Sequence, residues 1–161
     1  MSDDVPGRIT GLQRSNGGVP KLPVESAAVS QGGMEGDRQR NRRFHGGPDR
    51  ALCLYSQELI DALGAEGHPI VRGAVGENVT IAGLPWGRVR PGATLTLGEV
   101  EVEVTSYTAP CENIEGAFMD GRFVRISQRV HPGWSRVYVR IRRGGTLRVG
   151  DEVRLAAPDG G

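Results

Sequence analysis

Val100, Val102 and Val104 alternate with Glu101 and Glu103. An extended strand sends successive side chains to opposite faces, so residues 100–105 predict a strand with valines inward and glutamates in water. Residues 135–142 carry the same period. Val137, Val139 and Ile141 fall on one face, and Arg136, Tyr138, Arg140 and Arg142 on the other. Further strands are expected over residues 8–12, 24–29, 51–55, 78–81, 93–97, 146–149 and 152–155. The chain's 25 glycines and 10 prolines punctuate these segments from end to end, as short strands joined by turns require. One helix is predicted, over residues 57–66. Ser56 caps it, Leu59, Ile60 and Leu63 form its apolar stripe, and Gly67 with Pro69 ends it. A weaker helical or turn segment is expected over residues 113–118. Many strands and few helices predict a mainly β fold, a closed or partly closed β-barrel with a few short helices, because closure removes exposed sheet edges.

A chain of 161 residues makes one domain, which can bury a core without help from a metal or disulfide. That domain is expected over residues 8–155, with residues 1–7 and 156–161 as flexible ends. A net charge of +1 argues against a nucleic-acid partner of the globally basic kind. No apolar run approaches the ~20 residues of a membrane span. The start, Met-Ser-Asp-Asp-Val-Pro, offers no apolar signal region. A cytoplasmic protein with reduced thiols is therefore expected. Two cysteines and three histidines, widely scattered, are too few for a zinc ribbon or an intrinsic iron–sulfur cluster.

Three segments carry candidate chemistry. Residues 32–55 read GGMEGDRQRNRRFHGGPDRALCLY, a long glycine- and arginine-rich loop leading into a strand. Glycines let backbone N–H groups approach an anion, and arginine forks match oxyanions. Phosphate or oxyanion binding suits such a loop, and a solvated basic loop has the same composition. No Gly-Lys-Ser/Thr follows the glycines, so it is not a nucleotide-binding P-loop. The second segment, Gly76-Glu77-Asn78-Val79-Thr80, can orient a ligand or satisfy backbone groups at a strand start. The third runs from a clear strand into Thr108-Ala109-Pro110-Cys111. Pro110 fixes its own φ and holds Ala109 extended, so Cys111 is expected on a rigid, partly exposed turn. A thiolate there is a nucleophile or metal ligand, and cations folded over it would lower its pKa. A buried structural cysteine is the alternative. Cys53, mid-strand, receives no chemical role. His68 and His131 are read as turn residues, Trp86 and Trp134 as core or rim packing, and Asp37 and Asp49 as ion-pair partners of neighbouring arginines.

The succession GDR…FHGGPDRALCLY, GENVTIAGLPW, VTSYTAPCENI and a late Gly-Asp-x-Val strand resembles the MOSC domain, the C-terminal module of molybdenum cofactor sulfurases. Small stand-alone bacterial members look most similar. The resemblance spans residues 9–155, and three motifs in order are more specific than any one. It implies a β-barrel-like fold and a reactive cysteine, matched by Cys111. That cysteine would ligate molybdenum of a pyranopterin cofactor or carry sulfur as a persulfide. His45, Gly46 and Gly47 would line the cofactor site, with His45 as a catalytic proton donor. Asp37 and Arg38 match the GD-x segment, and Lys21 matches a basic position near the pterin phosphate. Glu77 and Asn78 match the GEN motif. Arg43, Arg50 and Thr105 complete the expected cofactor-binding set.

The resemblance also implies partners. The chain carries no ferredoxin-like segment and no pyridoxal-phosphate lyase domain, so a separate redox protein or a separate cysteine desulfurase is expected. The leading expectation is a reductase of N-hydroxylated compounds. A sulfur carrier holding a persulfide on Cys111 and a non-catalytic binding module are the alternatives.

Overall fold

A computed structural model describes residues 5–15, 17–37 and 47–156 of the chain. Seven strands close on themselves. They are β1 (Val5–Arg14), β5 (Leu52–Ser56), β6 (Val79–Ala82), β7 (Thr94–Leu97), β8 (Val100–Thr108), β9 (Arg136–Arg143) and β11 (Glu152–Leu155). The order around the barrel is β11-β7-β8-β9-β5-β6-β1, and β1 returns to β11. Strand β2 (Leu22–Val24) extends the sheet from the far end of β1. A second sheet, in the order β10-β3-β4, joins β3 (Ser26–Ser30), β4 (Gly33–Met34) and β10 (Gly145–Arg148).

The alternation that identifies β8 survives folding. Val100, Val102 and Val104 are at most 1% exposed, and Glu101 and Glu103 face outward. Leu95, Leu97, Val153 and Leu155 complete that side of the core. The pair β5–β6 is parallel, with Leu54 opposite Val79, and both strands are buried at every residue. A parallel pair needs a crossover, which places a helix over its face. Helix α1 (Gln57–Ala65) fills that role. Its Ser56 hydroxyl accepts the Leu59 N–H at 3.2 Å, and Ile60 and Leu63 are buried. Gly67 adopts φ 104°, and the N–H groups of Gly67 and His68 return to the carbonyls of Gly64 and Leu63. That pattern ends a helix with a left-handed residue, which favours glycine.

Three expectations need correction. Val5, Pro6 and Gly7 are not a frayed end. They pair with Leu155, Arg154 and Val153 and close the barrel, because the last strand needs a partner for its backbone groups. The strand expected over residues 24–29 is two, separated at Glu25, because the chain leaves one sheet for the other there. The helical or turn segment expected over 113–118 is present as 3-10 turns, Glu112–Ala117. Arg136 and Tyr138, expected on the solvent face of β9, are buried at 5% and 8% exposure. Only beyond Val139 does β9 alternate between core and water.

Candidate functional site

The burial of Arg136 and Tyr138 creates the site. Strands β5, β9 and β8 lie side by side, and register sets Cys53 opposite Tyr138 and Arg136 opposite Thr108. These four residues line one pocket on the outer face of the barrel wall. Lys21, Val75, Asn78, Cys111 and Asn113 also line it. The pocket holds about 70 Å³, room for roughly five water-sized groups.

Cys111 reaches the pocket because β8 ends at Thr108 and Pro110 prevents its continuation. The Cys111 backbone is extended, at φ −145°, and its carbonyl accepts the Ile114 N–H at 3.1 Å. Ile114 and Ala117 anchor the following turns in the core. The thiol is free and half-buried. Cys53 is free and fully buried, with its sulfur 3.8 Å from the Thr108 hydroxyl. Burial pushes its thiol up, against the pull of Arg136. Burial likewise pushes the Tyr138 phenol up to about 12, and Tyr138 feels the charge of both thiols and of Arg136. Cys53 and Tyr138 therefore stay neutral at ordinary pH.

Two cations reach this pocket from different surroundings. Lys21 donates to both oxygens of Asp37, at 2.7 and 2.9 Å, and both side chains are nearly solvent-free. Asp37 also accepts the Ser15 N–H at 2.9 Å. Arg136 instead donates to two carbonyls, Val75 at 2.6 Å and Ala109 at 3.3 Å. Its Nε–H has no partner among the described residues.

The expected site residues divide accordingly. Lys21, Asn78 and Cys111 line the pocket, and Asp37 stands behind Lys21. Asn78 holds the wall: its side-chain oxygen accepts the Cys53 N–H at 3.0 Å and its amide donates to the Gln13 carbonyl at 3.3 Å. Glu77 is fully buried and does not line the pocket. Burial pushes its carboxyl up to about 6, against the pull of the Gly73 and Glu77 N–H groups, Arg136 and Thr80. Gly47 begins the short turn Pro48–Arg50 with φ 98°, and Arg50 lies over the Tyr138 ring, 5.3 Å from its centre. The Thr105 hydroxyl meets the carbonyls of Asp49 and Tyr138 and does not line the pocket. Arg38, Arg43, His45 and Gly46 lie outside the described residues.

Among the described residues Asp37 pairs with Lys21, and Asp49 pairs with Arg140 across the fold. Trp86 is core, and its indole donates to the Ser135 carbonyl at 2.9 Å. Trp134 carries Arg125 on its face at 3.8 Å. His68 is buried, and its Nδ1 accepts the Met119 N–H at 3.0 Å.

Arg136, Tyr138, Cys53 and Thr108 were absent from the expected site. The period of Arg136 and Tyr138 matches that of Arg140 and Arg142 on the same strand, which are exposed or ion-paired. No local signal separates the two groups. Only the covering segments around Val75 and Ala109 do so.

Chemically, the pocket joins a reachable thiol to a buried guanidinium. A thiolate ligates soft metals or carries sulfur, and a guanidinium holds oxyanions. Among the described residues no three His, Cys, Asp or Glu side chains converge to cage a metal. A metal on Cys111 would then take its other ligands from a cofactor or water.

Comparison with known proteins agrees with the architecture. The chain is 31% identical to YflK of Bacillus subtilis (strain 168) over 140 residues, 86% of this chain and 62% of YflK. It is 32% identical to the protein YiiM of Escherichia coli (strain K12) over 122 residues, 72% of this chain and 54% of YiiM. The chain thus spans less than two thirds of either relative. The crystal structure of YiiM from Geobacillus stearothermophilus superposes with a TM-score of 0.72 at 23% identity, covering 96% of this chain and 77% of that one. That likeness is one of fold. No helix among the described residues is long and apolar enough to cross a membrane. The family model described as the MOSC domain matches residues 41–154, and the chain belongs to the MOSC domain family.

Proposed function

We propose that this chain binds the molybdenum cofactor with the Cys111 thiolate as a ligand of molybdenum, and reduces N-hydroxylated compounds with electrons from a separate redox protein. MOSC domains as a family are associated with that cofactor. The observation that carries the reading is Cys111 itself, a half-buried thiol held at a strand end in a pocket that also contains a buried guanidinium. When bound, the cofactor supplies a two-electron centre able to take oxygen from nitrogen.

The chain's own residues bind and orient. Cys111 offers one soft donor on a backbone fixed by Pro110 and by the turn after it. Lys21 presents a cation steadied by Asp37. Asn78 keeps β5 and β1 in place around the site. Covering Cys53 and Tyr138 excludes water from the pocket floor, which strengthens every charge interaction there. Arg38, Arg43, His45, Gly46, Gly47 and Arg50 would lie along the cofactor, with His45 as proton donor.

Molybdenum and pterin content per chain tests this, with wild type and Cys111→Ser purified side by side from a cofactor-competent host. Molybdenum in the wild type and its loss in the variant are expected. No metal in either, under conditions that load a known binder, overturns the reading.

A second reading is favoured by one observation: two free thiols line the same pocket. A persulfide on Cys111, loaded by a cysteine desulfurase, would lose its outer sulfur when the Cys53 thiol attacks the Cys111 sulfur: a Cys53–Cys111 disulfide forms, and the outer sulfur leaves as hydrogen sulfide with the Cys53 proton. A sulfane-sulfur adduct on the Cys111 peptide after incubation with a desulfurase supports that route, and its absence removes it.

A further inference from the structure

Arg136 is 5% exposed and lines the Cys111 pocket. A guanidinium carries five N–H donors and a charge that no ordinary pH removes. Two of those donors meet the carbonyls of Val75 and Ala109, which are neutral. The Nε–H meets nothing among the described residues. Burying a charge without an opposite charge is costly, and proteins ordinarily pair it. Among the described residues Arg136 makes no ion pair within 4.0 Å. Glu77 feels its field without reaching it. The pocket's other cation, Lys21, already has Asp37.

We propose that Arg136 binds the oxyanion end of a small ligand beside Cys111, so that the pocket selects molecules carrying a carboxylate or a phosphate-type group. The space available, about 70 Å³, matches such a group of a few heavy atoms. The unused Nε–H supplies a donor, and the buried charge supplies the attraction. The inference rests on the reading of this pocket as the ligand site and names the class of molecule it takes.

Cys111 provides the probe. Iodoacetate and iodoacetamide both alkylate a thiolate: sulfur bonds to carbon and iodide leaves. They differ in a carboxylate against a neutral amide. Rates at the Cys111 peptide, read by mass spectrometry on purified protein of known molybdenum content, give the ratio of the two reagents. Relative to free glutathione, the wild-type ratio is expected to favour iodoacetate by about tenfold, the size of one good charge-assisted contact. Arg136→Gln is expected to lose this preference and Arg136→Lys to keep part of it. A wild-type ratio equal to that of glutathione, or an unchanged ratio in folded Arg136→Gln, overturns the proposal.

A second measurement needs no variant. The Arg136 Hε–Nε signal in the wild-type NMR spectrum is followed during titration with inorganic phosphate and, separately, with formate at constant ionic strength. Movement with phosphate selects the tetrahedral class, and movement with formate the carboxylate class. Movement with neither overturns the proposal. Both measurements read anion binding directly, so the cofactor reading stands or falls separately on molybdenum content.

Discussion

Glu77 has no solvent exposure, and one of its carboxyl oxygens lacks a hydrogen-bond partner among the described residues. Burial raises its carboxyl from 4.5 to about 6. The folded chain therefore holds this proton more tightly than the unfolded chain does. Stability from this residue is fully present below about 4.5 and is lost as pH rises to about 6. By linkage the loss is on the order of 2 kcal/mol. Urea unfolding of wild type and Glu77→Gln at pH 4.5 and pH 7 checks it. The stability difference between the two proteins should shift by that amount in favour of the glutamine variant at pH 7. Asn78 behaves differently, since it has no charge to lose. Its amide answers the Cys53 N–H and the Gln13 carbonyl, so Asn78→Ala leaves two buried backbone groups unmet. A loss of about 2–3 kcal/mol is expected by denaturant titration, from the cost of unsatisfied buried polar groups. The GEN motif was visible in sequence, but its division of labour was not. Glutamate and asparagine there are compatible with ligand contact or backbone support, and only burial separates them.

At the scale of elements, α1 was legible because each end carries its own chemistry. Ser56 accepts the Leu59 N–H, and Ser56→Ala is expected to cost about 1 kcal/mol, the usual value of an N-cap, measurable by thermal or urea unfolding. The loop from Gly73 to Gly76 was not legible in the same way. Gly73 has φ 86°, and a Cβ there would clash with the Lys21 carbonyl oxygen. Its carbonyl accepts the Lys21 N–H at 2.9 Å. Gly73→Ala is therefore expected to destabilise by about 2 kcal/mol or more through strain at a left-handed position. It should also displace Lys21 from Asp37, which a Lys21 Nζ signal in NMR would register. Strand β9 shows the limit of periodicity. A period of two assigns faces, yet it does not say whether the outer face meets water. For Arg140 and Arg142 it does; for Arg136 and Tyr138 the segments at Val75, Ala109 and Cys111 cover it.

Barrel closure belongs to the whole molecule. Strand β1 meets β11 over Val5–Arg8, β6 over Arg8–Leu12 and β2 beyond Leu12. One strand thus joins three partners along its length. Removing β11 would leave Val5–Arg8 of β1 and one edge of β7 unpaired, and it would uncover the core that Val153 and Leu155, at most 2% exposed, now fill. A chain ended after Asp151 is expected to lose cooperative unfolding, seen as a vanished sigmoidal transition by circular dichroism. An intact transition in that truncation would show that the seam does not hold the barrel.

The sequence by itself determined most strands of the barrel, the helix caps and the placement of Cys111 after a proline-bounded strand. Those are local: side-chain period, cap chemistry and the fixed φ of proline act within a few residues. The family motifs singled out Cys111 as the candidate reactive cysteine. Tertiary structure alone decided that Arg136, Tyr138 and Cys53 share a pocket with Cys111, that Lys21 is neutralised by Asp37, and that residues 5–7 close the barrel. Each of these joins positions far apart in the chain, from 16 residues for Lys21 and Asp37 to the two ends of the barrel. Burial and ion pairing depend on what packs over a residue, and periodicity along a strand carries no information about that cover.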